Sequence, residues 1–320
     1  MHSLVPDPPD PPPRPVSSPP IDDGRLVSRG WLEPAPVTRA LLTMNVAVFV
    51  VQLVFTAGKS LSHLPPREAL AFGASDSLAT VFEHRWETLV TACFLHDGVL
   101  HLGFNMLALW QAGPLVERNV GSARMAPMYL VAGAFGNLVS VANAWREHGQ
   151  STIVGASGAI SGLLAAALVV GWRVQGFRGP LAQAMLRWLV FVLTFGFLER
   201  WLNGAHIAND AHVGGAIAGA LIAWMWRRRF RYSEQATRFV VAGCVGILAG
   251  CIALVGWHDR TDPFATMNLE ARAHKAETDV ALGRCKDAHD DLLAVERLRR
   301  SFAPTRNLRA MVEESCGHVG

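Results

Sequence analysis

Residues 155–172 read GASGAISGLLAAALVVGW, and this stretch decides the fold. It contains no charged residue, and apart from Ser157 and Ser161 it consists of apolar residues and glycine. A helix needs about 20 predominantly apolar residues to cross the hydrocarbon core of a bilayer. The stretch therefore predicts a membrane-spanning helix over about 154–172.

Six further apolar segments of similar length lie on either side of this one. With seven segments, the sequence predicts an all-α polytopic membrane protein that crosses the bilayer seven times. The other six predicted spans cover about 40–57, 99–116, 125–143, 181–198, 208–226 and 239–257.

The overall composition conceals this pattern, because the two ends of the chain differ from its middle. The chain has 320 residues, of which 51% are hydrophobic and only 17% are charged, whereas soluble domains carry about 25% charge. Residues 1–38 hold 11 of the 18 prolines. The apolar middle excludes a disordered chain, a collagen and an ordinary soluble enzyme. A net charge of +3 is too small for a nucleic-acid-binding protein.

Composition divides the chain into four parts. Residues 1–38 are expected to form a Pro-rich disordered tail. Residues 39–228 are expected to form a core of six spans, residues 229–257 a basic loop with the seventh span, and residues 258–320 a soluble helical tail.

The C-terminal tail has apolar positions at helical spacing over 266–300, which predicts a pair of helices that ends before Pro304. Part of it faintly resembles one helix of a tetratricopeptide repeat. Cys285 and Cys316 could form a disulfide if the tail lies in an oxidising compartment.

Basic residues in the loops predict the orientation of the chain. One set of loops carries 12 Lys and Arg residues and the opposite set carries five. Because basic loops remain in the cytoplasm, we expect the N-terminus inside and the C-terminal tail outside. The expected location is the inner (plasma) membrane of a bacterium.

Three of the predicted spans open with polar residues. The second contains His101 and Asn105, the fourth contains Ser157, and the sixth contains His212. These three spans run in the same direction, and His101, Ser157 and His212 each lie within about two turns of the start of their span. The sequence thus places the three side chains at one depth near the outer face, and ionisable groups within spans are usually functional.

Glycine spacing predicts how these spans pack. Gly158 and Gly162 are four residues apart, as are Gly215 and Gly219, and such spacing lets two membrane helices approach closely. Contact between the two faces would bring Ser157 within hydrogen-bond reach of His212, as a serine nucleophile with a histidine base requires. His101 and Asn105 share one helix face and could donate to an oxyanion.

Other uses of these residues remain open at this point. The glycines and Asn105 could serve packing alone, and His101 and His212 could bind a cofactor. HExxH is absent and no cluster of carboxylates accompanies the histidines, so neither a metal nor a cofactor is predicted. His96 and His206 are interpreted as peripheral.

The motifs resemble those of the rhomboid family of intramembrane serine proteases. The resemblance covers about residues 37–228 and rests on PVTRALLTMNVAVFVVQ, TLVTACFLHDGVLHLGFNMLALW, GASGAISG and AHVGGAIAG. It implies a six-helix rhomboid-like bundle followed by one additional transmembrane helix.

The resemblance also implies roles for individual residues. Ser157 would be the nucleophile and His212 the general base of a dyad with no acidic third member. The oxyanion hole would use His101, Asn105 and the backbone N–H of Ser157. In addition, Gly155 and Gly158 would shape the serine loop.

Two positions depart from the family pattern. Many members carry a Trp-Arg pair in the first outer loop, where this chain has His84-Arg85-Trp86. Many also carry an aromatic residue four positions after the serine, where this chain has Ser161.

The resemblance implies substrates that are transmembrane proteins with small residues and a weakened helix near the cut. The fifth span and the loop 201–207 would form the gate and the cap. Two other functions remain: a catalytically silent rhomboid-like protein that binds transmembrane clients, and a small-molecule transporter.

Overall fold

The computed structural model describes residues 35–82, 84–146, 152–203, 209–226, 232–261, 269–298 and 303–317. The Pro-rich residues 1–34, the basic residues 227–231 and His206 lie outside these ranges, as do most residues of the expected cap loop.

Helices dominate the described residues. The long helices are α1 (Pro36–Phe55), α5 (Val99–Val120), α6 (Ser122–Arg146), α7 (Ser157–Gln175), α8 (Pro180–Asn203), α9 (Asn209–Met225) and α10 (Glu234–Thr261). The short helices α2 (Pro66–Ala71), α3 (Ser77–Phe82) and α4 (Thr88–Thr91) lie between α1 and α5, with 3₁₀ turns at Lys59–Leu61 and Ala92–Phe94.

Five of the described helices are long and apolar enough to cross a membrane, namely α1, α5, α6, α7 and α10. The fifth predicted span corresponds to α8. Its apolar part, Pro180–Thr194, is shorter than the five candidate spans. The sixth corresponds to α9, which has 17 residues. The chain is therefore an all-α, multi-pass membrane protein, and the count of seven spans stays a prediction.

Helix α7 lies at the centre of the bundle and packs against α5, α6, α8 and α9. Its Ala165, Ala166 and Ala167 are buried, and such small side chains let neighbouring membrane helices approach closely. Larger side chains such as Ile160 and Leu163 complete the core. Helix α10 lies at the periphery, because it is the least buried of the five membrane-spanning candidates.

The first helix begins earlier than the sequence indicated. We expected the Pro-rich tail to reach residue 38, but α1 starts at Pro36. Proline suits the first helical position, because its fixed φ matches the helix and its missing N–H needs no partner there. The buried carboxylate of Glu117 accepts hydrogen bonds from the backbone N–H groups of Val37 and Thr38, at 3.0 and 2.8 Å.

The long connection between α1 and α5 forms part of the site's framework. Its strand β1 (Ser75–Asp76) pairs antiparallel with β2 (Thr152–Ile153), which immediately precedes the serine loop. The backbone N–H of Gly155 donates to the carbonyl of Ala92 at 2.9 Å. Backbone hydrogen bonds from this connection therefore fix the segment that leads into α7.

The same connection contains the first departure from the family pattern. Arg85 is 1% exposed, and its Nε lies 3.5 Å from Oε1 of Glu87. Trp86 points outward and is 50% exposed. Nδ1 of His258, near the end of α10, lies 2.9 Å from the same Glu87 oxygen, so this loop is held in part by α10.

The described residues of the C-terminal tail form three helices rather than the expected pair: α11 (Leu269–Ala281), α12 (Cys285–Leu298) and α13 (Ala303–Cys316). They share a core that includes Ala276, Leu292 and Val312. Pro304 does not end the helical part of the tail, because it is the second residue of α13, and the first turn tolerates proline. A disulfide joins Cys285 to Cys316.

Candidate active site

Ser157 is the first residue of α7. Gly155, two residues before it, has a φ of +129°. Residues other than glycine rarely adopt this backbone conformation. This turn places the Ser157 hydroxyl at the N-terminal end of a helix, where backbone N–H groups are unpaired and the helix dipole favours negative charge.

His212 is the fourth residue of α9, and its ring meets Ser157. Nε2 of His212 lies 2.6 Å from Oγ of Ser157, which is a direct hydrogen bond between side chains 55 residues apart. A hydroxyl held this close to an imidazole can transfer its proton to that ring.

Glycines at the α7–α9 contact make this approach possible. A Cβ atom on Gly215 would collide with the carbonyl of Gly158, and one on Gly219 would collide with the carbonyl of Gly162. The two helices therefore pack backbone to backbone along the faces that carry the four glycines.

His101, the third residue of α5, lies beside the serine loop. A Cβ on Gly155 would be 2.9 Å from Nε2 of His101 and 3.6 Å from Oγ of Ser157. The backbone N–H of Asp97 donates to Nδ1 of His101 at 3.3 Å. Since Nδ1 accepts, the neutral ring carries its proton on Nε2, which becomes a donor beside Ser157.

Asn105 lies one turn further along α5. Its Nδ2 donates to the carbonyl of His101 at 2.9 Å. The amide has two N–H groups, so one remains for another acceptor. The motif spacing gave no indication of this bond within α5.

These four side chains line one pocket. Its walls are otherwise apolar, so a small number of polar groups converge in a setting that suits substrate binding. The full lining is His101, Phe104, Asn105, Ala108, Ser157, Ile160, Phe191, Val192, Gly196 and His212.

Gly196 and Asn209 approach His212, although neither was selected from the sequence. Gly196 belongs to α8, and a Cβ there would be 3.0 Å from Cε1 of His212. Asn209 lies three residues before His212 on α9, so spacing alone could have placed the two on one helix face. Nothing in the sequence around Gly196 distinguishes it from a packing glycine.

His96, interpreted as peripheral, is fully buried and lies edge-on to His101, with ring centroids 5.4 Å apart. Burial, followed by the nearby His101, lowers the pKa of His96 well below its ordinary value. The ring is therefore neutral and packs against the ring of His101.

Ser161, at the second departure from the family pattern, is also fully buried. Its Oγ has no hydrogen-bond partner within the described ranges.

Comparison with known proteins supports the motif-based resemblance. The family model described as "Rhomboid domain" matches residues 83–229. RHOMBOID-like protein 5 of Arabidopsis thaliana is 28% identical over 256 residues, which cover 73% of this chain and 79% of that protein.

Two bacterial relatives have names that describe proteases. Rhomboid protease GluP of Bacillus subtilis is 36% identical over 155 residues, or 48% of this chain, but only 28% of that relative is covered. Rhomboid protease AarA of Providencia stuartii is 30% identical over 205 residues, which cover 58% of this chain and 71% of that protein. Because of the match to this relative and the match to the family model, the chain belongs to the rhomboid family.

Proposed function

We propose that this protein is an intramembrane serine protease with Ser157 as nucleophile and His212 as general base. The observation that carries the proposal is the 2.6 Å hydrogen bond between Oγ of Ser157 and Nε2 of His212. It lies in a mostly apolar pocket, beside a second histidine whose Nε2 can donate.

The reaction has two stages. Oγ of Ser157 attacks the carbonyl carbon of the scissile peptide bond as Nε2 of His212 takes the hydroxyl proton. His212 then returns that proton to the leaving amine, which departs and leaves an acyl-enzyme. In the second stage His212 activates a water molecule, which releases the acyl group and restores Ser157.

The negative charge on the carbonyl oxygen would be met by three kinds of donor. The backbone N–H of Ser157 is in the first turn of α7, where it lacks an intrahelical acceptor. Nε2–H of His101 and the remaining N–H of Asn105 would complete the oxyanion hole. Fixed donors in an apolar pocket stabilise such charge strongly.

The proposed substrates are transmembrane proteins cleaved in or near their membrane segments. A substrate helix must unwind before cleavage, because its carbonyls are hydrogen-bonded within the helix. Small residues and a weakened helix near the cut would lower that cost. The proposed gate is α8, which contributes Phe191 and Val192 to the pocket wall.

The proposed orientation has the N-terminus in the cytoplasm, with the site near the outer face and the tail outside. The disulfide between Cys285 and Cys316 supports an external tail, because such bonds persist in oxidising compartments. The proposed domains are the Pro-rich tail, the six-span core, the segment 229–257 and the tail 258–320. The boundary between the first two lies at Pro36 rather than after residue 38, because α1 starts there.

The competing function is a silent rhomboid-like protein that binds transmembrane clients. The plant relative's name says only that it is rhomboid-like, which keeps this alternative in view. A fluorophosphonate probe separates the two, because it modifies a serine only when a base activates the hydroxyl.

We expect the purified protein to be labelled by the probe, and Ser157→Ala to lose all labelling. Ser161→Ala is the matched control, since Ser161 lies one turn along the same helix, and it should be labelled normally. A folded wild-type protein that takes up no probe would contradict the protease proposal.

We expect His101→Ala to lower the turnover of a reporter membrane protein by about 100- to 1000-fold, the usual scale for losing one oxyanion donor. Asn105→Ala should fall at the lower end of that range, because one of its N–H groups already bonds within α5. Turnover should be measured per molecule of folded enzyme. If both variants lose folded protein yet keep normal turnover per folded molecule, the two residues serve packing alone.

A further inference from the structure

The buried side chain of Asn209 takes no part in the reaction proposed above. It is the first residue of α9, one turn before His212, and it is 9% exposed. Within the described part of the chain, neither its amide oxygen nor its amide nitrogen has a hydrogen-bond partner. Burying such a group without a partner costs free energy, so its presence calls for an explanation.

His212 presents a matching unpaired atom. Its Nε2 faces Ser157, while its Nδ1 is buried without a partner among the described residues. Because Nε2 accepts the serine proton, Nδ1 of the neutral ring carries a hydrogen. That N–H becomes a stronger donor once the ring is protonated, and it then needs an acceptor.

Both unpaired groups lie against the same point of α8. A Cβ on Gly196 would collide with Oδ1 of Asn209 and would lie 3.1 Å from Nδ1 of His212. The absence of that Cβ lets the α8 backbone cover this edge of the ring. Asp210 carries a carboxylate nearby in sequence, but that group accepts a hydrogen bond from Nδ2 of Asn143 at 2.9 Å.

We propose that Asn209 is a positioning residue whose Oδ1 accepts the Nδ1–H of His212 during proton transfer, extending the Ser157–His212 pair to a hydrogen-bonded Ser157–His212–Asn209 triad. The contact requires a rotation of the Asn209 side chain, because neither atom has a partner among the described residues. The proton moves only from Oγ of Ser157 to Nε2 of His212, and Asn209 neither gains nor loses a proton. This inference rests on the proposed protease function.

The direction of a pH effect follows from the charge on the ring. His212 must be neutral to accept the serine proton, so its protonation sets the acid limb of kcat/KM. An acceptor at Nδ1 stabilises the protonated ring more than the neutral one. Its removal therefore moves the acid limb to lower pH, and a carboxylate in its place moves it to higher pH. Among the described residues that line the pocket with His212, His101 of α5 is the other titratable group, and it stays unchanged in every variant. The carboxylate of Asp210 accepts from Asn143 of α6.

The test compares pH profiles of kcat/KM for reporter cleavage in proteoliposomes. We expect Asn209→Leu to lower kcat/KM at neutral pH by about 10- to 100-fold, a part of the 10²–10⁴-fold usual for general base catalysis. Its acid limb should fall by about one pH unit, the scale of one hydrogen bond to a charged group. Asn209→Asp should raise the limb by about one unit, and Asp210→Asn, the matched control, should leave it unchanged.

A wild-type acid limb in both Asn209 variants would overturn the inference, whatever their activity. If Asn209→Leu folds poorly, the limb of Asn209→Asp decides alone, since that variant preserves the size of the side chain. Ser157→Ala separates the two proposals: if it loses cleavage while the Asn209 variants keep the wild-type limb, the protease function stands and only the role of Asn209 fails.

Discussion

Ser157→Ala should abolish cleavage of a transmembrane reporter, with a loss of about 10⁴-fold or more, because it removes the atom that attacks the peptide carbonyl. The Oγ of Ser157 is bonded to Nε2 of His212 at 2.6 Å, and no other described hydroxyl is bonded to that nitrogen. The methyl group of alanine fits the same space, so the fold should survive. The loss of cleavage would therefore reflect the missing nucleophile and not a loss of folded protein.

This prediction is checked by following the reporter fragments in proteoliposomes that contain equal amounts of each variant. Ser161→Ala controls for the loss of a serine hydroxyl from α7, because Oγ of Ser161 is buried and has no hydrogen bond to His212. Undiminished cleavage by Ser157→Ala would exclude the serine mechanism, and equal losses in both variants would indicate a packing defect.

The scarcity of charge made much of the fold predictable. In an apolar chain the few polar side chains are informative, because each is costly to place within a membrane. The positions of His101, Ser157 and His212 near the starts of their spans were enough to predict a common depth. The structure places all three in one pocket.

The unpredicted details depend on contacts between distant segments. The bond from Asn105 to the carbonyl of His101 uses one of the two N–H groups of that amide, and motif spacing cannot show which acceptors an amide reaches. The approach of Gly196 to His212 requires knowing how α8 leans on α9. The pairing of β1 with β2 involves only two residues in each strand, which is too short for a periodic pattern.

Local rules also failed at two prolines for one reason. Composition assigned Pro36 to the disordered tail, and Pro304 was interpreted as a helix breaker. Both occur in the first turn of a helix, where proline's missing N–H has no intrahelical partner to lose. A proline in the sequence indicates a helix boundary. Whether it lies just before a helix or in the first turn depends on how the following helix packs.

Gly219→Val should cause the second large loss of activity, because it separates the helices that carry the two reacting side chains. Any Cβ at this position collides with the backbone carbonyl of Gly162, and a backbone atom cannot move aside as a flexible side chain can. The helices must shift apart by about 1 Å or more. A displacement of that size costs about 100-fold in rate when it affects reacting groups, and we expect at least that loss with weaker α7–α9 packing.

Gly246→Val is the matched control, since Gly246 lies within α10, which is long and apolar enough to cross a membrane, but a Cβ at that position would have no described atom within 4 Å. We expect the control to retain wild-type cleavage and thermal stability, and Gly219→Val to lose both. Gly219→Ala should lie between them, because even its smaller side chain meets the Gly162 carbonyl. Full activity in Gly219→Val would show that the dyad does not depend on close α7–α9 contact, which would contradict the role given to the paired glycines.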